Sequence, residues 1–368
     1  MKITMLHYHL RPGGVTTVIR NAQRALAPKY DVEVLADVGY NARPARSRAQ
    51  FIAEARELLR RLPRTDVLHA HNVGLGKNPR LSYAVRLLAE RGGVRVINQV
   101  HDFPEENRPA QLHALRYCTG RRDDVFWREM CYYDLPNVRW ATLTSRDAAK
   151  LAARGVPARK IHVLPNPVDD ELFTRPRQPT PRDVASWCPY LLSPMKVMER
   201  KNNAEAVELV KRLGRYRLII SLDASSPRDR AYRDRLERWI RRERLPVIIG
   251  VGSVLDDALP LFDAAHAIVT TSRQEGFGYA FLEGWLRGKL VVGRDIPEVT
   301  RDFAAEGLDL RHLYHEFNDT AVTRIAKLLA RPPRQLIEHN RRVVLEKYSL
   351  RAYTRRYEAL LGKFTGRF

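Results

Sequence analysis

The chain has 368 residues, and its 64 Lys and Arg against 42 Asp and Glu give a formal charge of +22. At about 150 residues per domain, that length implies two domains, each able to bury its own core. Apolar residues at 44%, with 20 Gly and 22 Pro, exclude disordered, collagenous and coiled-coil classes, and the excess charge suits anionic partners such as nucleic acid, an acidic membrane surface or phosphorylated small molecules.

The opening MKITMLHYHL carries one Lys and then His7 and His9 within its apolar stretch, so it reads as a first strand and not as a signal peptide. No apolar run approaches the ~18 residues that cross a bilayer. Cys118, Cys131 and Cys188 lack CxxC spacing, which argues against a disulfide framework and a structural zinc site and fits a cytoplasmic setting. Short β-branched runs at 2–8, 31–36, 66–71, 94–101, 139–144 and 160–164 alternate with helical-period stretches such as 15–26 and 48–62. Repeated βα units predict a parallel sheet covered by helices on both faces. The first strand runs into HYHLRPGGVTTVIRN, where Gly13 and Gly14 precede a helix start, a place for a phosphate or sugar to rest on free amides. His69 and His71 alternate on one strand, as His7 and His9 do, so each pair shares a face. Metal binding by these pairs is not expected, because no third ligand follows at suitable spacing.

Prolines at 165, 167, 176, 179, 181 and 189 without apolar periodicity predict an extended interdomain linker. The βα alternation then resumes, with strands at 190–193, 217–222, 246–251, 266–271 and 290–293. After the strand YLLSP, the segment MKVMERKNNAEAVELV sets Lys196 and Lys201 across a strand-to-helix loop with Arg200 beside them, cations suited to a diphosphate. After AHAIVTTS comes RQEGFGYAFLEGWLRGKLVVG, in which Glu275 and Glu283 bracket Gly276, Phe277 and Gly278. With a helix starting near Tyr279, both carboxylates face one ligand and can accept hydrogen bonds from sugar hydroxyls.

The segment EGFGYAFLEG resembles the signature of the retaining glycosyltransferases of family 4, which have the GT-B architecture: two Rossmann-like parallel-sheet domains facing a central cleft. PGGVTTVIRN resembles the family's amino-terminal glycine loop, QVHDF its histidine segment, PNPVD its linker entry, and EKYSLRAYTRRYEALL its terminal helices. The resemblance implies an acceptor domain over 1–168, a linker over 169–189, a nucleotide-sugar donor domain over 190–345, and a C-terminal helix over 346–368 crossing back to the first domain. It further implies that Glu283 binds the nucleotide ribose, Glu275 a hydroxyl of the donor sugar beside the backbone of Gly276 to Gly278, and Lys196 and Lys201 the diphosphate. His101 would lie under the donor sugar, with Gly13 and Gly14 framing the phosphate. Two departures stand out: Lys196 replaces the family's usual Arg and loses its bidentate fork, and SLDASSPRD at 221–229 replaces a glycine-rich strand end.

The implied reaction moves a hexosyl group from a nucleotide-diphosphate sugar to an acceptor hydroxyl by front-face displacement, with no metal or other cofactor; the departing diphosphate oxygen takes the acceptor proton. The expected acceptor is a sugar, a lipid-linked sugar or a small acidic molecule, with peripheral contact to an anionic membrane as a further partner. Phe103, Arg108, Tyr117, Phe126 and Trp127 follow the histidine segment and are candidates to shape the acceptor pocket. The alternatives are another GT-B enzyme, such as a sugar-nucleotide epimerase or a phosphorylase, and a basic nucleic-acid-binding protein. The last is disfavoured because basic residues are interleaved with acids and no binding motif occurs.

Overall fold

A computed structural model describes every residue except 12, 178–180, 254–257 and 365–368; Pro12 of the glycine loop, Pro179 of the proline series and the last four residues of the terminal segment lie outside the described residues. The chain forms two compact units, Met1–Pro167 with Leu350–Phe368, and Val168–Ser349.

The first unit holds β1 (Lys2–Leu6), β2 (Asp31–Leu35), β3 (Val67–His71), β4 (Arg95–Val100), β5 (Val138–Thr142) and β6 (Ile161–Val163). They form one parallel sheet in the order β2-β1-β3-β4-β5-β6. Side-chain alternation sorts its two faces. Met5, Val67 and Ile97 join the cluster containing Ile19 and Leu26 of the helix Gly14–Leu26 and Tyr353 and Tyr357 of the helix Leu350–Leu361. Their neighbours Leu6, Leu68 and Val96 join a second cluster with Leu81 and Val85. The terminal helix is fixed on the first unit by Thr354, whose hydroxyl donates to Ala25 O at 2.7 Å, and by the Lys29–Glu358 ion pair at 2.7 Å.

The second unit holds β7 (Tyr190–Lys196), β8 (Arg217–Leu222), β9 (Val247–Ile249), β10 (Ala267–Thr270) and β11 (Val291–Gly293), parallel in the order β11-β10-β7-β8-β9. Its strands are almost wholly apolar because helices bury both faces. All eleven strands fall where the residue pattern places them, and the fold is GT-B.

The proline-rich stretch is not an extended linker. Helices Asp170–Phe173 and Arg182–Ser186 form within it, Val168 donates to Tyr348 O at 2.8 Å, and Phe173 packs edge-on against Phe262. Arg287, itself held by Asp263, donates to the carbonyls of Phe173 at 3.1 Å and Arg175 at 2.6 Å. Buried apolar anchors and a carbonyl-binding arginine dock the segment on the second unit; proline content alone could not reveal them.

Candidate functional site

In an open parallel sheet a ligand crevice forms where neighbouring strands send their connections in opposite directions. In the second unit that point lies between β7 and β10. Pro194 has no amide hydrogen, and the β7–β8 register shifts between Ser193 and Lys196, so β7 is irregular just before it ends at Lys196, at the carboxyl end of the sheet. Lys196 is half-buried, and its ammonium has no hydrogen bond or ion pair among the described residues.

The loop after β7 is pinned to the loop after β10. Thr271 donates to Asn202 O at 3.0 Å, the Arg273 amide to Arg200 O at 3.0 Å, and Arg200 Nη1 to Gln274 O at 3.1 Å. These contacts seat Lys201 against Glu275: its ammonium donates to both carboxylate oxygens, at 2.5 Å to Oε2. Ser272 donates to Oε1 at 2.6 Å, and Arg200 stands 3.7 Å from Oε2. The side chains are 13% and 8% exposed. Desolvation lowers the Lys201 pKa while Glu275 works against it. The two residues read separately as diphosphate and sugar ligands are thus each other's counterion. Ser272 had no motif to mark it; its place three residues before Glu275 was the only signal.

Gly278 takes φ 92° at the start of the helix Tyr279–Leu286, a conformation that favours glycine. Gly276 is exposed, with open space where a Cβ would stand. Phe277 turns its ring into the core against Phe303 and Tyr348, so only its backbone is free to meet a ligand. Gly284 lets the helix lie close on the sheet, since a Cβ there would come within 2.7 Å of Val291 and 3.0 Å of Ile268. That packing fixes the neighbouring Glu283, which is half-buried and whose carboxylate has no hydrogen-bond or ion-pair partner among the described residues. Desolvation pushes its pKa up to about 8.

In the first unit the corresponding crevice lies between β1 and β3. Gly13 and Gly14 follow β1, but neither takes a left-handed conformation: Gly13 is extended at φ 169° and Gly14 opens the helix. A Cβ at Gly14 would meet nothing within 4 Å, so packing does not require glycine there. His101 follows β4 directly, with its Nε2 3.2 Å from His71 Nδ1. Asn72 Oδ1 accepts from the His101 and Asp102 amides at 3.3 and 3.2 Å, and Asp102 pairs with Arg108 at 2.6 Å. Asn72, which holds this corner, was not legible beforehand.

The His69 ring lies 4.1 Å from that of His71 between centroids, tilted by 33°, and bonds Gln99 at 2.8 Å. Desolvation lowers His101 to about 4 and His69 to about 3, so both are neutral at pH 7. Among the described residues no group of three or more His, Cys, Asp or Glu could hold a metal ion. Phe103, Phe126 and Trp127 are buried in core clusters and do not line a pocket with Arg108; their positions after the histidine segment serve packing.

The model of Glycosyltransferase Family 4 matches residues 12–172. The mannosylglucosyl-3-phosphoglycerate synthase of Petrotoga mobilis is 24% identical over 347 residues, covering 81% of this chain and 66% of that relative's length. The family match covers somewhat less than half of this chain. Solved structures with the same fold include Anabaena HepE in complex with UDP (TM-score 0.69, 13% identity, 98% of this chain and all of that one). The sucrose-phosphate synthase of Thermosynechococcus elongatus matches similarly (TM-score 0.68, 16% identity, 98% of each chain). The Lys201–Glu275 pairing, and Lys196 and Glu283 without partners among the described residues, are features seen in this structure.

Proposed function

We propose that this protein is a retaining family 4 hexosyltransferase that uses a nucleotide-diphosphate sugar and needs no metal. What carries the reading is the second unit's switch point: a cation, Lys196, and a carboxyl, Glu283, both without partners among the described residues, and an ion pair, Lys201–Glu275, all at or shortly after the ends of the adjacent strands β7 and β10. Lys201 and Glu275 nearly neutralise each other, so Lys196 and Arg200 leave a positive surplus for a diphosphate. Glu283, desolvated and unpaired, accepts hydrogen bonds from ribose hydroxyls. Glu275 has acceptor capacity left for a sugar hydroxyl, and the Gly276 amide stands open beside it. The UDP complex of Anabaena HepE and the sugar–phosphoglycerate product named for the Petrotoga relative agree with this reading.

In the reaction the acceptor oxygen bonds to the anomeric carbon on the face from which the sugar–phosphate bond breaks. The acceptor proton passes to the departing diphosphate oxygen, and the cations stabilise the charge that develops there. His101 is neutral and can hydrogen-bond a sugar hydroxyl without adding charge. No described helix is long and apolar enough to cross a membrane.

Calorimetric titration of the full chain with UDP, GDP and ADP tests the reading. One of them should bind saturably, and Lys196→Met should weaken it about tenfold with an unchanged melting temperature. Failure of all three to bind would overturn it.

A further inference from the structure

The switch point of the first sheet gathers three loops. His9 and Arg11 follow β1, Tyr40 follows β2, and Lys77 follows β3. Lys77 Nζ donates to Tyr40 Oη at 2.8 Å and lies 4.5 Å from the centre of its ring; the same Oη is 2.5 Å from His9 Nε2. Backbone and amide bonds tie the loops together: Gly39 N to Tyr8 O at 2.9 Å, Asn41 N to Lys77 O at 3.0 Å, and Asn78 Nδ2 to Gly39 O at 3.2 Å. The cluster is held in place, yet Tyr40 remains 49% exposed and Arg11 is open to solvent.

Its charges are not balanced. Neither Arg11 nor Lys77 has a carboxylate partner among the described residues, whereas Arg80, Arg108, Lys150 and Arg154 of the same unit are paired with Glu54, Asp102, Glu106 and Glu105. Partial burial, then Lys77 and Arg11, push His9 toward its neutral form. Its Nδ1 accepts from the Arg11 amide at 3.2 Å, so Nε2 of the neutral ring donates to Tyr40 Oη, which also accepts from Lys77; the remaining ammonium hydrogens and the Arg11 guanidinium are left unspent. Two cations on ordered loops, with no carboxylate and a neutral imidazole beside them, recognise a negative group.

We propose that His9, Arg11, Tyr40 and Lys77 form a binding site for the phosphate or carboxylate of a small anionic molecule at the carboxyl end of the first sheet. Calling that molecule the sugar acceptor rests on the transferase reading above; the anion site itself does not. In the transferase, the site selects acceptors that carry a negative group and leaves neutral sugars without a counterion for Lys77 and Arg11.

Titrations of the full chain with glucose 6-phosphate, glucuronate and glucose at low salt test the proposal, and inorganic phosphate serves as the minimal probe. The phosphate ester, the carboxylate or both should bind at least about tenfold more tightly than glucose, and that preference should vanish in Lys77→Met and Arg11→Met. Equal binding of all three sugars, or a preference that survives both substitutions, would overturn it. UDP titrations of the same variants separate the two readings: loss of UDP binding in the unmodified chain counts against the transferase reading, and loss of the anion preference counts against this one. Tyr40→Phe keeps the ring under Lys77 but removes the hydroxyl, and should weaken phosphate binding without lowering the melting temperature; strong phosphate binding in Tyr40→Phe with a lowered melting temperature would assign these residues a structural role only.

Discussion

Replacing Glu283 with Gln should make the unliganded protein more stable in alkali while impairing nucleotide binding. The acid rises from 4.5 to about 8 through desolvation. Between those values the folded state holds a proton that the unfolded chain has lost, so stability falls as pH rises through the window. At about 1.36 kcal/mol per pH unit that gap has an upper bound of about 5 kcal/mol; the residual exposure of Glu283 screens it to about 2 kcal/mol. Gln cannot ionise and escapes this loss. For a unit spanning Val168–Ser349, about 2 kcal/mol corresponds to a melting-temperature gain of about 4–8 °C. Scanning calorimetry of both proteins should show nearly equal melting near pH 4.5 and that gain at pH 9. A gain independent of pH, or a loss at pH 9, would refute the reasoning. Nucleoside diphosphate binding near neutral pH should also release a proton, because ribose hydroxyls favour the carboxylate. Calorimetry in buffers of different ionisation enthalpy should find that release in the parent protein and not in Glu283→Gln.

Glu275→Gln leaves Lys201 buried beside a neutral amide and should cost about 3–5 kcal/mol, read as a fall in the denaturant midpoint of the second unit; an unchanged midpoint would mean the pair is not buried. Arg287→Ala leaves Asp263 with Arg177 at 3.8 Å as its ion-pair partner and frees the carbonyls of Phe173 and Arg175, with a cost of about 3–5 kcal/mol; limited proteolysis should then cut within 170–177 faster than in the parent, and equal rates would count against that anchor. Gly284→Ala forces a methyl against Val291 and Ile268 and should cost about 1–3 kcal/mol. It should also weaken nucleotide binding by displacing Glu283, and unimpaired binding would detach that helix from the site.

The sheets were legible in the sequence because buried parallel strands are short apolar runs, and every such run found here became a strand. Lys196, Lys201, Glu275 and Glu283 could be singled out in the sequence as candidates because each follows a strand end or a glycine turn within a few residues. The Lys201–Glu275 pairing was not, since it joins residues 74 positions apart through a loop geometry set by Thr271 and Arg200. Phe277 lay inside the motif, yet its ring serves the core, because one strand-to-helix turn must both expose backbone and bury side chains. The docked proline segment was missed for a similar reason: its anchor is Arg287, more than a hundred residues away. The Tyr40–Lys77 contact likewise depends on strand order, and no local periodicity encodes it.

The most direct test of the donor site is a crystal structure of the protein with the nucleoside diphosphate that titration selects. The diphosphate oxygens should lie within about 3 Å of the Lys196 and Lys201 ammonium groups and the ribose hydroxyls on the Glu283 carboxylate. A nucleotide bound elsewhere, or one that leaves Glu283 untouched, would contradict it.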